Sequence, residues 1–154
     1  MGIQRHQDKG DNWRYVVTFS LDQQTYAVPI EAVVKITELS SMIPCRHPEP
    51  NIAGLIPIEQ RRIPAVNMRR YHGLAETDLE PHTPVIVIEI NKTELALIVD
   101  RLSGAVRVPA SQITRSSEGL SGTVMQTAQG STVLVNLANL FSPEQMKSFS
   151  KIRE

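Results

Sequence analysis

The most reactive pair of side chains in this 154-residue chain is a cysteine and a histidine two positions apart. Cys45-Arg46-His47 places a thiol near an imidazole, the combination that activates a cysteine nucleophile. All three residues fall in "SMIPCRHPEPNIA" (41–53), whose three prolines predict a segment that is largely loop. A free cysteine more often serves as a small apolar side chain, so a packing role is the better interpretation.

No other reaction leaves a recognisable pattern in the sequence. The histidines are far apart, and none has a partner at metal-ligand spacing; they are His6, His47, His72 and His82. Neither a phosphate-binding glycine loop nor the Gly-x-Ser-x-Gly elbow of hydrolases occurs in the chain. We therefore predict that the protein is not an enzyme, with no catalytic residues, no cofactor and no metal ion.

Charge directs attention to one short segment. Sixteen basic residues balance sixteen acidic ones, which makes the chain a poor candidate for the phosphate contacts that dominate nucleic-acid affinity. Arg61, Arg62, Arg69 and Arg70 are a local exception, and such a cluster is more often a solvated face than a contact. The expected partners are proteins or small molecules, not nucleic acid.

The N-terminal stretch "MGIQRHQDKGDNW" has no apolar core of a signal peptide, and no apolar run approaches the ~20 residues of a membrane helix. A single cysteine cannot form an internal disulfide. These features favour a cytoplasmic protein without membrane insertion, in which residues 1–12 form a flexible polar tail.

Short β-rich runs separated by turn residues dominate the remaining chain, and ten prolines leave little room for long helices. Residues 30–36 are expected to contain one or two helical turns before a strand. Residues 103–109 are expected to be a single strand. Four hairpins are predicted. The first has arms 13–21 and 25–30, and the second surrounds the polar corner of "GLIPIEQRRIPAVNM" (54–68). The third has arms 83–90 and 94–102, and the fourth spans 121–137 and turns at Gln129-Gly130. Such spacing is typical of small barrels or a sandwich.

A helix is predicted for residues 142–154. Ser142 fits the N-cap, Pro143 the first helical position and Gln145 the third, which together form a capping box. The helical period then places Met146, Phe149 and Ile152 on the face toward the protein.

Over residues 14–141 the order of these runs resembles the CheW family of chemotaxis adaptors. The most specific pieces are the hairpin from Gly54 to Arg69, "LIVDRLSGAVRVP" (97–109) and "VLVNLANLF" (133–141). The resemblance implies an all-β fold of two SH3-like five-stranded barrels that share an apolar core, with short helical turns and a C-terminal helix. It implies a domain at 13–141, with subdomains of about 13–80 and 81–141 and possible strand exchange between them.

Two positions depart from the family pattern with opposite signs. The family corner usually reads Asn-Leu-Arg-Gly, whereas this chain has Pro57-Ile58-Glu59-Gln60, and Lys35 stands where the family usually has glutamate. Lys35 and Glu59 are either a compensated swap or two independent surface changes, and the sequence leaves both open. By resemblance, the expected partner-binding residues are Val33, Lys35, Ile58, Glu59, Arg61 and Arg62.

The resemblance implies a non-catalytic signalling adaptor that couples the cytoplasmic helical tip of a chemoreceptor to the regulatory domain of a CheA-type histidine kinase. The kinase contact would draw on the hairpin around Val85 to Leu97 and on its neighbours. The divergent corner suggests a specialised array, such as one that controls pilus-driven or gliding motility. Two alternatives stay open: a kinase-binding competitor that has lost receptor coupling, and a small-molecule sensor or enzyme on paired barrels.

Overall fold

A computed structural model describes residues 12–111 and 123–152. The chain forms two compact units, and each is assembled from separate parts of the sequence. Unit 1 contains the described residues up to Ile30 together with those between Ser103 and Leu140, and unit 2 contains Glu31–Leu102 and the residues from Phe141 onward.

Ten strands and two α-helices make up the described chain. The strands are β1 (Trp13–Leu21), β2 (Gln24–Pro29), β3 (Val33–Glu38), β4 (Ile52–Ile58), β5 (Arg61–Asn67), β6 (Pro84–Ile90), β7 (Thr93–Ile98), β8 (Arg101–Pro109), β9 (Thr123–Thr127) and β10 (Gly130–Leu134). The helices are α1 (Met68–Tyr71) and α2 (Pro143–Ile152), and 3-10 turns occur at Ile30–Ala32 and Leu137–Asn139. The predicted hairpins are confirmed, whereas the expected helical turns at 30–36 reduce to one 3-10 turn. The predicted 94–102 arm ends at Ile98, and β8 begins at Arg101.

Each unit contains one five-stranded sheet. The strand order is β8-β1-β2-β10-β9 in unit 1 and β3-β6-β7-β5-β4 in unit 2. The core of unit 1 includes Val16, Ala27, Val108, Met125 and Leu134. The core of unit 2 includes Leu39, Ile56, Ile58, Ile63, Ala65, Val85, Val87, Ala96 and Ile98. Alternation of side chains along the strands supplies both cores, as expected for small all-β domains.

The two sheets have the same internal arrangement. In each sheet two antiparallel hairpins lie side by side, and their adjoining strands run parallel: β2 with β10 in unit 1 and β7 with β5 in unit 2. A fifth, single strand flanks one hairpin: β8 lies beside the β1–β2 hairpin, and β3 lies beside the β6–β7 hairpin. Along the chain, unit 2 begins with its single strand β3, whereas unit 1 begins with the β1–β2 hairpin. The division therefore differs from the boundary expected near residue 80, because β6 pairs with β3 while β8 returns to β1.

The two prolines of the β4–β5 hairpin sit where the ladder needs no N–H. Leu55 faces Pro64 in the register, and the N–H and C=O of Leu55 bond instead to Ile43, on the side away from β5. Leu55 and Pro64 are thus a non-hydrogen-bonded pair, and Pro57 lies two residues along with the same parity. Pro57 also lies on an edge strand, where proline is tolerated.

Helix α2 begins with the predicted capping box. The Ser142 N–H donates to Gln145 Oε1 at 2.7 Å, and the Gln145 N–H donates to Ser142 Oγ at 3.1 Å. These two bonds satisfy backbone N–H groups that otherwise have no partner at the start of a helix. Met146 and Phe149 are buried, whereas Ile152 is half-buried.

Stability should fall on mild acidification because of His72, which follows α1. Burial lowers the pKa of His72, so the folded state resists protonation. The unfolded state takes up the proton near pH 6.5, and stability is lost as the pH falls below that value. We expect the melting temperature to drop between pH 7.5 and 5.5, and to drop less in His72→Gln. Equal pH slopes for both proteins would contradict this assignment.

Candidate partner-binding site

The corner between β4 and β5 is a two-residue turn built without glycine. Glu59 has φ 49° and Gln60 has φ 70°, so both central residues lie in the left-handed region. Hairpins that join strands this tightly usually place Asn-Gly or Asp-Gly there, since a Cβ disfavours positive φ. The chain therefore holds an acidic side chain at the tip of the hairpin in a conformation that costs free energy.

Replacing Gln60 with glycine should stabilise the protein. Removal of the left-handed strain contributes about 1–2 kcal/mol, and the extra freedom of glycine in the unfolded chain offsets about half of it. The net gain should raise the melting temperature by roughly 1–4 °C. Gln129→Gly is the matched control, because Gln129 also lies in a hairpin turn but its φ is not positive. An equal gain from both variants would count against strain at Gln60.

Lys35 and Glu59 form an ion pair. Lys35 Nζ donates to Glu59 Oε2 at 2.6 Å, and the two side chains are 39% and 59% exposed. Lys35 lies on β3 and Glu59 beside β4, the two edge strands of the unit 2 sheet, so the pair forms only because the sheet curves round. This hydrogen bond, followed by the Lys35 charge, lowers the pKa of Glu59.

Arg61 connects this corner to the next hairpin. Its Nε donates to Glu94 Oε1 at 2.9 Å and its Nη2 donates to Glu94 Oε2 at 3.2 Å, a bidentate arrangement. The same guanidinium lies 3.6 Å from Glu59 Oε1. Because β5 and β7 run parallel, the β4–β5 and β6–β7 turns lie at the same end of the sheet.

The remaining expected contact residues differ in their exposure to solvent. Arg62 is exposed, and Val33 is half-buried. Ile58 is only 7% exposed and belongs to the core of unit 2, so the expectation that it presents a contact surface is corrected. Ile58 is the last residue of β4 before the turn residue Glu59, and the alternation of side chains along the strand points it inward.

Two exposed apolar side chains of β3 were missed from the sequence. Val34 and Ile36 are 45% and 42% exposed on β3, on either side of Lys35. The pairing of β3 with β6 shifts between Val33 and Lys35, which leaves Val34 in a bulge. The run "VVKI" gives no signal for this exposure, because the bulge decides which face each residue takes.

The kinase contact was expected around the hairpin from Val85 to Leu97 and its neighbours, and most strand residues of this hairpin are buried. Seven of its apolar residues have no exposed surface: Val85, Ile86, Val87, Ile88, Leu95, Ala96 and Leu97. They are buried because β6 and β7 are central strands of the sheet. The exposed residues of this hairpin are Glu89, Asn91 and Lys92, at and next to its turn.

Within 12–111 and 123–152, no three metal-ligating side chains come together, and no helix is long and apolar enough to span a bilayer. One cavity of about 200 Å³ lies in unit 2 near Arg69, Asp78 and Asp100. It is smaller than the ~300–1,000 Å³ of typical ligand pockets.

A family model for the CheW-like domain matches residues 15–147. The chain belongs to the CheW-like family. The match covers most of the sequence, and proteins of the CheW family serve as adaptors or scaffolds in chemotaxis.

Individual relatives are distant. The chemotaxis protein CheW of Thermotoga maritima is 26% identical over 98 residues, which cover 64% of this chain and 64% of that protein. The corresponding protein of Bacillus subtilis is 27% identical over 107 residues, 68% of this chain and 67% of that one. The Treponema pallidum protein is 18% identical over 148 residues, 89% of this chain and 87% of that one. Most aligned positions therefore differ between this chain and each of these relatives.

A solved structure confirms the fold. The scaffolding protein TtCheW of Thermoanaerobacter tengcongensis superposes with a TM-score of 0.70 at 18% identity, covering 84% of this chain and 92% of that one. The expected all-β fold of two SH3-like five-stranded barrels is thereby confirmed.

Proposed function

We propose that this chain is a non-catalytic cytoplasmic adaptor that couples the helical tip of a chemoreceptor to the regulatory domain of a CheA-type histidine kinase. Membership of the CheW-like family supports the adaptor class. The observation that carries the receptor contact is the exposed ion pair at the corner, together with the exposed apolar side chains of Val34 and Ile36 on the strand that carries Lys35. Apolar contacts of this kind provide affinity, and charges at their edge select the partner.

The receptor surface of the proposal consists of Val34, Ile36, Lys35 and Glu59, with Arg62 at its edge. Val34 and Ile36 replace Ile58 as the apolar contacts, since they are exposed and Ile58 is buried. The kinase contact is proposed at the exposed turn of the β6–β7 hairpin, at Asn91 and Lys92. The reversed signs at Lys35 and Glu59 suit a receptor whose contact charges are likewise reversed.

Calorimetry tests both contacts. The wild-type chain is titrated with the regulatory domain of the histidine kinase encoded nearest to it, and separately with a tip fragment of the chemoreceptor encoded nearest. Micromolar binding to both is expected. Binding to the kinase alone would favour the competitor role, and binding to neither would contradict the proposal.

A surface variant locates the receptor contact. Val34→Glu should weaken binding to the tip fragment at least tenfold, because it places a charge in an apolar contact. Val124→Glu makes the same change at an exposed position of unit 1, 61% exposed, and should leave tip binding unchanged. Neither change should lower the melting temperature by more than about 2 °C, since both side chains face solvent. Equal affinities for the two variants would remove Val34 from the contact.

A further inference from the structure

Four charged side chains alternate in sign across the end of the unit 2 sheet. Glu59 lies between two cations, with Lys35 Nζ at 2.6 Å and Arg61 Nη1 at 3.6 Å. Arg61 in turn holds Glu94 through two hydrogen bonds of 2.9 and 3.2 Å. The series Lys35, Glu59, Arg61, Glu94 therefore runs from β3 through the corner and β5 to β7.

Glu94 explains why Arg61 must stay positive. The Glu94 side chain is only 12% exposed, and its cross-strand neighbour in the β6–β7 ladder is Glu89. Two carboxylates directly opposite each other on paired strands repel. The guanidinium of Arg61 offsets this repulsion, and a negative residue at position 61 would add a third like charge.

We infer that Arg61 is a specificity-determining positioning residue, because it fixes the sign of the charge that the corner can present. An arginine at position 59 would lie beside Arg61 in the place of a carboxylate 3.6 Å away. The four charges thus form one charge unit, in which the signs can be reversed at all positions together but not at one pair alone. Its members are Lys35, Glu59, Arg61 and Glu94. The inference rests on the proposed function insofar as the corner selects the receptor.

Stability tests the charge unit without any partner. The double variant Lys35→Glu/Glu59→Arg keeps its ion pair but brings two arginines together, so its melting temperature should fall by roughly 1–3 °C. Adding Arg61→Glu and Glu94→Arg restores alternation and should recover more than half of that loss. In ~1 M salt the difference should shrink, because charges are then screened within about 3 Å. Equal loss in the double and quadruple variants would overturn the inference.

Arg70→Glu/Glu76→Arg is the matched control. It exchanges another ion pair of unit 2, with a 3.0 Å separation and comparable exposure, at a site outside the four-charge unit. Adding Arg61→Glu and Glu94→Arg to this control should not restore stability. Recovery there would show a general effect of charge and would count against a specific role of Arg61.

Calorimetry with the receptor tip fragment tests the link to specificity. The quadruple variant, folded but reversed in sign, should bind the fragment at least tenfold more weakly than the wild type, while the control pair should bind normally. Unchanged affinity of the quadruple variant would show that the charge unit does not select the receptor. If the wild type does not bind the fragment, the proposed function and the specificity role both fail, whereas the stability comparison still decides the role of Arg61.

Discussion

Alanine at Gly54 is expected to lower the free energy of unfolding by about 2–3 kcal/mol, which is the scale of an overpacked core. A Cβ at this position would lie 2.7 Å from the carbonyl oxygen of Ile43 and 2.8 Å from Met42 Cγ. The flexible methionine can move, but the backbone oxygen is fixed by its hydrogen bond from the Leu55 N–H at 2.8 Å. The strain should therefore not relax, and the melting temperature should fall by roughly 4–12 °C.

Two further variants separate steric conflict from backbone preference. Met42→Ala combined with Gly54→Ala should recover little, because the clash with Ile43 persists. Gly73→Ala has open space around its new Cβ but a φ of 72°, so it should cost only about 1 kcal/mol. A larger loss at Gly73 than at Gly54 would contradict the close approach.

The consequence of Gly54 extends to the candidate site. The Ile43–Leu55 bridge joins the segment after β3 to β4, and so closes the sheet of unit 2. That closure also brings Lys35 on β3 to Glu59 beyond β4, a pair separated by 24 residues. Gly54→Ala should therefore weaken the Lys35–Glu59 pair as well as the core, and a double-mutant cycle for the pair measures the loss.

Much of the fold was predictable because its signals are local. Turn residues and alternating apolar runs located the hairpins, and Ser142 with Gln145 located the start of α2. In the structure, Pro57 and Pro64 are tolerated because each occupies a non-hydrogen-bonded position of the β4–β5 pair.

The candidate site was harder to predict because it depends on distant pairing. The sequence could suggest Lys35 and Glu59 but not their contact, which requires both edge strands to meet. Exposure of Val34 and burial of Ile58 depend on a bulge and on the position of the turn, and neither has a sequence signature. The composition of the two units likewise follows from the return of β8 to β1, a long-range choice.

Loss of the Phe149 ring is expected to be the most damaging change in helix α2. Phe149 has no exposed surface, and its ring lies 4.9 Å from Phe141 and 5.1 Å from His47. Phe149→Ala should cost about 3–5 kcal/mol, from lost burial and the cavity that remains. The melting temperature should fall by roughly 6–20 °C. Phe149→Leu keeps most of the volume and should cost less than half as much.

Amide exchange distinguishes unfolding of the whole of unit 2 from local separation of α2. Three polar contacts also fix α2 in unit 2: Ser148 with His47 at 3.0 Å, Ser150 with Thr93 at 3.0 Å, and Gln145 with Glu49 at 2.5 Å. If they hold the helix, Phe149→Ala lowers the melting temperature of the whole unit. If they do not, α2 separates locally, and amide exchange rises in α2 and the His47 segment while β6 and β7 stay protected. An unchanged melting temperature with unchanged exchange would show that the aromatic cluster does not anchor the helix.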